Sequence, residues 1–358
     1  MDFYSPKLMQ FPPAEDRIPG GTDWRGGLLI RSTNWLGDAL MTLPAVYRMA
    51  LHKPHGLKTT VLAPANLAPV WQACPFVDEV VPMNGKRLSD DALARIRTLA
   101  PGVAVVLPNS FRSAWEVFRT GIPVRCGRRG RWRGFTLTNR LREWPRGENV
   151  GICHQLSYYL QLATLLGDTP LSAECPPLAV DDGLAAEMGM TRGDRWLAMA
   201  PGAAFGPAKQ WPADYFAEVG RWAASQGRRV VIVGGKGDAA VADAIAGQLP
   251  SGTLNLAGKT NLTQLMAVLN EAERVVANDS GAMHLAAALG RDGVALFGST
   301  DPVATGPIGG RWRLLVADAP CRPCFQRTCL LAGKEEYQCL KSLTPQAVIR
   351  ELQDFDSL

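Results

Sequence analysis

Apolar residues along the chain fall into short continuous runs separated by stripes at helical spacing, the alternation expected of buried strands and amphipathic helices. In the first half, strands are predicted at 28–31 (with Gly27), 59–62, 77–81 and 103–107. Helices are predicted at 38–51, 67–72, 90–99, 113–119 and 154–166, the first with Leu40, Leu43, Tyr47 and Ala50 as its stripe. The segment 168–195 is rich in Pro, Gly and acidic residues and marks a domain boundary. The pattern then restarts with strands at 196–200, 229–233 and 254–256 and helices from Pro212 to about 226 and at 238–249. Asn261 is a predicted N-cap, with Gln264 three residues on to complete a capping box. A strand at 274–277, a helix at 280–289 and a strand at 294–297 follow, and a last helix is predicted over 344–354.

Strand–helix alternation predicts the α/β class, with parallel sheets covered on both faces. Two Rossmann-like domains with a cleft between them are the economical arrangement, ligands being bound beyond the carboxyl ends of the strands. The hydrophobic fraction of 47% suits a globular protein, and no apolar run approaches the ~18 residues of a membrane span. Residues 1–26 carry Pro6, Pro12, Pro13 and Pro19 without an apolar core, and are expected to be a flexible leader rather than a secretion signal. Reduced cysteines in the cytoplasm are therefore expected.

The net charge of +5 is unevenly distributed. Between 111 and 146 lie ten Arg and two Glu, leaving the remainder of the chain net acidic. Trp115, Trp132 and Trp144 are interleaved with the arginines. Nucleic acid, a phosphorylated sugar and an anionic headgroup all fit that composition, as does a solvated loop face.

Candidate chemistry sits where predicted strands meet helices. Asn278, Asp279 and Ser280 stand at the mouth of a helix that leaves a buried strand, where free N–H groups and the positive helix end suit a phosphate; a well-capped helix without ligand is the plain alternative. Asp38 opens the first helix after Asn34-Trp35-Leu36-Gly37, either as a favourable helix-end charge or as a general base. The small residues 201–208 ahead of Lys209 would expose backbone N–H groups beside a cation. Other motifs fail. Gly258-Lys259-Thr260 lacks the first P-loop glycine, and Ser280 with His284 lacks a nucleophile elbow. Cys321, Cys324, Cys329 and Cys339 are spaced irregularly for zinc, so thiols are favoured over a structural site.

Three blocks resemble a known family: RSTNWLGDALMTLPAV (31–46), PGAAFGPAKQWP (201–212) and NDSGAMHLAAALG (278–290), with the four-cysteine block trailing them. They are similar to those of the ADP-heptose:lipopolysaccharide heptosyltransferases, most of all the type II members, over about residues 28–340. The resemblance implies a GT-B fold, two Rossmann-like domains whose parallel sheets face a central cleft. Residues 27–182 would bind acceptor, 183–342 would bind ADP-heptose, and a helix at 343–358 would pack back towards the N-terminal domain. It implies an inverting glycosyltransferase that moves heptose from ADP-heptose to heptose I of the lipid-linked lipopolysaccharide inner core. Such an enzyme would work at the cytoplasmic face of the inner membrane in peripheral contact with it, without nucleic acid. No cofactor or metal is expected to be required, divalent-cation assistance being left open.

By position, Asp38 matches the proposed general base and Lys209 the phosphate-binding lysine. Gly202, Ala203, Asp279, Ser280, Gly281 and His284 match donor contacts. Trp35 and Gly37 match the loop that touches donor and acceptor, Asn34 beside them is an acceptor candidate, and Arg128, Arg129, Arg131 and Arg133 are candidates for phosphorylated core sugar. Ala203 and Ala204 replace hydroxyl residues of some relatives, so backbone amides would serve there. Another acceptor within the family, or a non-catalytic nucleotide-sugar- or nucleic-acid-binding protein, are the alternatives.

Overall fold

The computed structural model describes residues 2–12, 14–85, 87–130, 132–142, 153–168, 172–181 and 183–357. The chain divides into two units, Lys7–Leu178 and Met1–Pro6 with Ala179–Leu358. Each is built on a six-stranded sheet whose pairings are all parallel.

In the N-terminal unit the strands are β1 (Gly27–Arg31), β2 (Lys58–Pro64), β3 (Glu79–Met83), β4 (Val103–Val106), β5 (Val124–Arg128) and β6 (Asn139–Leu141). Their order is β3-β2-β1-β4-β5-β6, so the direction of winding reverses between β1 and β4. In the C-terminal unit they are β7 (Trp196–Ala200), β8 (Arg229–Ile232), β9 (Leu254–Asn255), β10 (Arg274–Asn278), β11 (Asp292–Phe297) and β12 (Trp312–Val316). The order β12-β11-β10-β7-β8-β9 reverses between β10 and β7. Those two reversals are where an open α/β sheet leaves a crevice at its carboxyl edge. Two such halves are the components of the GT-B class expected above.

The central strands β1, β4 and β7 are buried at every position, because helices cover both sheet faces and apolar runs such as Leu28-Leu29-Ile30 meet no water. The first predicted helix is two, Leu36–Met41 and Leu43–His52. Pro44 has no N–H and favours a first-turn position, so the chain restarts at Thr42. Asn261 and Gln264 form the expected capping box, each side chain accepting from the other's backbone N–H at 2.9 Å.

The N-terminal segment differs from the expectation. Residues 7–12 and 14–26 lie along the N-terminal unit instead of trailing free: Lys7 O accepts from His154 N (2.9 Å), Leu165 O from Ile18 N (2.9 Å), and Asp16 Oδ2 from Arg140 N (2.7 Å). The preceding residues belong to the C-terminal unit, where Phe3 lies 5.3 Å from the Phe355 ring and Tyr4 N donates to Trp312 O at 2.8 Å. Backbone partners hold this segment, and such bonds leave no periodicity to read. The last helix, Pro345–Asp356, buries Val348, Leu352 and Phe355 in the C-terminal core against the helix Ala213–Ser225, β11 and β12. That packing is within its own unit.

Candidate functional site

At the carboxyl end of β1, Arg31 is buried and its Nε donates to Glu116 Oε2 at 2.8 Å. Its Nη2 donates to Asn34 Oδ1 at 3.1 Å, which fixes the loop from β1 to the next helix. Trp35 occupies the N-cap position of that helix without a side-chain cap bond and is 73% exposed. Asp38 falls in the first turn and is half-buried. Gln155 Nε2 donates to Asp38 Oδ1 at 3.3 Å and to Tyr159 Oη at 3.1 Å. Burial raises the Asp38 pKa above the ordinary carboxylate range, and the Gln155 amide offsets part of that by favouring the charged form. Tyr159 is pushed up to about 12 by burial and by the neighbouring Asp38 charge, so it stays a neutral phenol.

Two cavities open on this edge. One of about 560 Å³ is lined by Arg31, Asn34, Trp35, Ser110 and Arg112 among others. A smaller one of about 190 Å³ is lined by Asn109, Arg128, Gln155 and Tyr159 among others. Asn34 and Trp35 therefore line one cavity, and the residue that holds Asp38 lines the other.

The arginines of the expected cluster have different surroundings. Arg129 is exposed. Arg128 is buried, lines the smaller cavity, and donates to Gln161 Oε1 at 2.8 Å; burial lowers its pKa to about 10. Arg133 is a correction: it is 0% exposed, and its guanidinium donates to the carbonyls of Arg128 (2.7 Å), Pro108 (2.5 Å) and Ser110 (3.2 Å). It ties the loop after β5 to the loop after β4, so it faces protein carbonyls instead of an acceptor. Arg131 lies outside the described residues.

In the C-terminal unit the loop after β7 and the end of β10 form one construction. Asn278, the last residue of β10, accepts from Trp211 N (3.2 Å) and donates to Pro201 O (2.7 Å). One amide thus holds both ends of the loop that carries Lys209. Lys209 Nζ lies 2.5 Å from Asp279 Oδ2, which also accepts from Thr300 Oγ1 at 2.6 Å. Asp279 is buried and the lysine nearly so, and the ammonium stands 5.0 Å from the Phe205 ring centroid. An ammonium has three donors, so the ion pair fixes its position and leaves capacity for an anion. Ser280 is the N-cap residue of the helix Gly281–Ala288 but makes no side-chain cap bond, and its Oγ is buried with no hydrogen-bond partner among the described residues. His284 is buried one turn into that helix. Ala203 is buried, and a Cβ on Gly202 would lie 2.2 Å from the Asp238 carboxylate, so only glycine lets the loop approach there.

Residues 94–335 match the glycosyltransferase family 9 (heptosyltransferase) family. The chain belongs to that family. It is 31% identical to lipopolysaccharide heptosyltransferase 2 of Escherichia coli K12, over 91% of this chain and 97% of that protein. It is 29% identical to lipooligosaccharide heptosyltransferase 2 of Haemophilus influenzae, over 79% of this chain and 86% of that one. The solved structure of E. coli ADP-heptose lps heptosyltransferase II superposes with a TM-score of 0.75 at 30% identity, covering 91% of this chain and 97% of that chain. E. coli heptosyltransferase WaaC with ADP shares the fold, with a TM-score of 0.65 at 21% identity over 91% of this chain and 99% of that chain.

Within this heptosyltransferase-family chain, several residues escaped the sequence reading. Gln155 holds Asp38 and in turn bonds Tyr159, Glu116 holds Arg31, and Thr300 holds Asp279, each from outside its partner's own motif. No local motif links such partners. Asn278 was legible only as a helix-cap candidate, although its amide spans the loop. Among the described residues no group of three or more His, Cys, Asp or Glu is arranged to hold a metal. Cys321 is exposed, Cys324 and Cys329 are partly buried, Cys339 is buried, and all four are free thiols.

Proposed function

We propose that this chain transfers heptose from ADP-heptose to heptose I of the lipid-linked lipopolysaccharide inner core, with inversion at the anomeric carbon. Family membership supports the heptosyl transfer. The observation that carries the chemistry is the Lys209–Asp279 pair at 2.5 Å beside the buried, unbonded Ser280 hydroxyl and a helix N-terminus. A cation, a free hydroxyl and backbone N–H groups at one point suit the diphosphate of a nucleotide sugar.

Asp38 supplies the complementary half. In direct displacement the acceptor hydroxyl gives its proton to the Asp38 carboxylate as its oxygen bonds to the anomeric carbon. The bond from that carbon to the diphosphate oxygen breaks, and its electron pair leaves on ADP. Lys209 and the amides around Gly281 stabilise the charge that grows there. One carboxylate suffices, because the diphosphate departs as a stable anion and needs no general acid. Gln155 holds that carboxylate by one amide hydrogen bond, and Arg31 orients the acceptor loop through Asn34. Gly202 and Ala203 give the diphosphate backbone access, and Arg128 and Arg129 answer phosphate on the core sugar. No helix among the described residues is long and apolar enough to cross a membrane; work at the cytoplasmic face of the inner membrane is part of the proposal.

The test is incubation with ADP-heptose and defined truncated lipopolysaccharides. The expected product gains one heptose on the heptose-I-terminated acceptor, with the opposite anomeric configuration by NMR. Retention of configuration would refute the displacement, and transfer only to a different acceptor would place the chain elsewhere in the family.

A further inference from the structure

The helix Phe111–Thr120 is apolar on two sides. Ala114 and Val117 enter the core of the N-terminal unit, as helix periodicity demands. The opposite face, at spacings of one, four, seven and eight residues, is Phe111, Arg112, Trp115, Phe118 and Arg119, all exposed. Phe111 and Trp115 stack at 6.1 Å, Trp115 and Phe118 at 5.3 Å, and Phe135 joins them at 6.1 and 6.4 Å. The helix's one acidic residue, Glu116, is turned inward on Arg31. Arg119 stands 3.7 Å from the exposed Asp90, a pairing that solvent weakens.

The neighbouring loop continues the same face chemically. Phe135 is 65% exposed and Trp132 93%, the latter with its backbone in the left-handed region at φ 60°. A large side chain rarely adopts that conformation. Arg133, buried and between them in sequence, anchors the loop by its carbonyl bonds. Connected exposed rings of this kind mark an interaction surface, unlike scattered single apolar residues.

We propose that this aromatic and arginine face docks on a phospholipid bilayer containing anionic lipid. Tryptophan and phenylalanine rings settle at the boundary between headgroups and acyl chains, and arginines beside them meet headgroup phosphates. Charge argues for this occupant. Arg112 and Arg119 are exposed on the ring-bearing face and the helix's one acidic residue is turned inward, while the chain outside 111–146 is net acidic, so an anionic surface attracts this face and repels the rest. The proposal draws on the lipid-linked acceptor read above for its biological sense, but the docking itself needs neither donor nor acceptor.

Co-sedimentation with phosphatidylcholine vesicles, with and without phosphatidylglycerol, tests it in the absence of substrates. The full chain should partition onto the anionic vesicles, and Trp115→Ser with Phe118→Ser should reduce that partition by roughly tenfold or more. Arg119→Glu should reduce it in the same direction. Turnover of the double variant on a delipidated, water-soluble acceptor should equal wild type, which also reports correct folding. Equal partition of variant and wild type, or equal binding to uncharged vesicles, would overturn the proposal. So would a concentration-dependent dimer in sedimentation velocity that the double variant abolishes, which would make the face an interface between copies. Absence of turnover with every acceptor would count against the transferase reading and leave the vesicle result standing.

Discussion

The two units carry the same kind of switch-point crevice but hold their key side chains differently. In the C-terminal unit Lys209 is locked by a buried ion pair whose carboxylate takes a second hydrogen bond from Thr300. In the N-terminal unit Asp38 has one amide on one oxygen and is otherwise burdened by burial. A group that must grip a diphosphate gains from being fixed. A group that must take a proton gains from being held loosely enough to keep its basicity. The stiffness of each site matches the role proposed for it.

The largest expected effect is on turnover. Asp38→Asn should lower kcat by ~10²–10⁴, the usual range for a lost general base, in a product-release assay. The same variant should fold at least as well as wild type at pH 7. Burial raises the folded-state pKa, so ionisation above that pKa costs stability, and the neutral amide removes the cost. A lower melting temperature would mean that Asp38 is structural.

The next effect separates the units. Lys209→Ala should weaken ADP binding by roughly 10–100-fold in calorimetry, the size of a lost charge-assisted hydrogen bond. It should also lower the melting temperature, because Asp279 is left buried without its cation. Adding Asp279→Asn should restore stability without restoring affinity. Unchanged ADP affinity would remove Lys209 from the donor site.

Smaller effects belong to the supports. Gln155→Leu should lower kcat several-fold at neutral pH and move the acid limb of the rate profile upward. The sign follows from the amide, which stabilises the charged carboxylate and so depresses a pKa that burial has raised. An unmoved limb would separate Gln155 from the mechanism. Smaller still, Arg129→Glu should raise acceptor KM a few-fold, whereas Arg133→Met should lower stability, since it strands three carbonyls. The reverse pattern would restore Arg133 to the acceptor site.

The C-terminal site was the more legible of the two because its parts lie close to strand ends in recognisable order. Residues 201–209 and 278–284 each read as strand, small-residue loop and helix, and the structure builds them that way. The N-terminal site was legible only at Asp38 and its loop, since its supports sit on distant helices. The arginine-rich stretch misled most: it read as a basic loop, yet contains β5 and β6. Arginines at 125, 128 and 140 interrupt any apolar run, and their long side chains find carbonyl and amide partners that the pattern cannot record. β12 was missed because Arg313 breaks its short apolar run. Pro44, by contrast, carried its break in plain view.

The most direct test is the pH profile of kcat for wild type and Asp38→Asn, with ADP affinity measured in both. The account predicts a wild-type acid limb above the ordinary aspartate range, its disappearance in the variant, and equal ADP affinity. A limb that persists in Asp38→Asn, or a variant that loses ADP binding along with turnover, would contradict it.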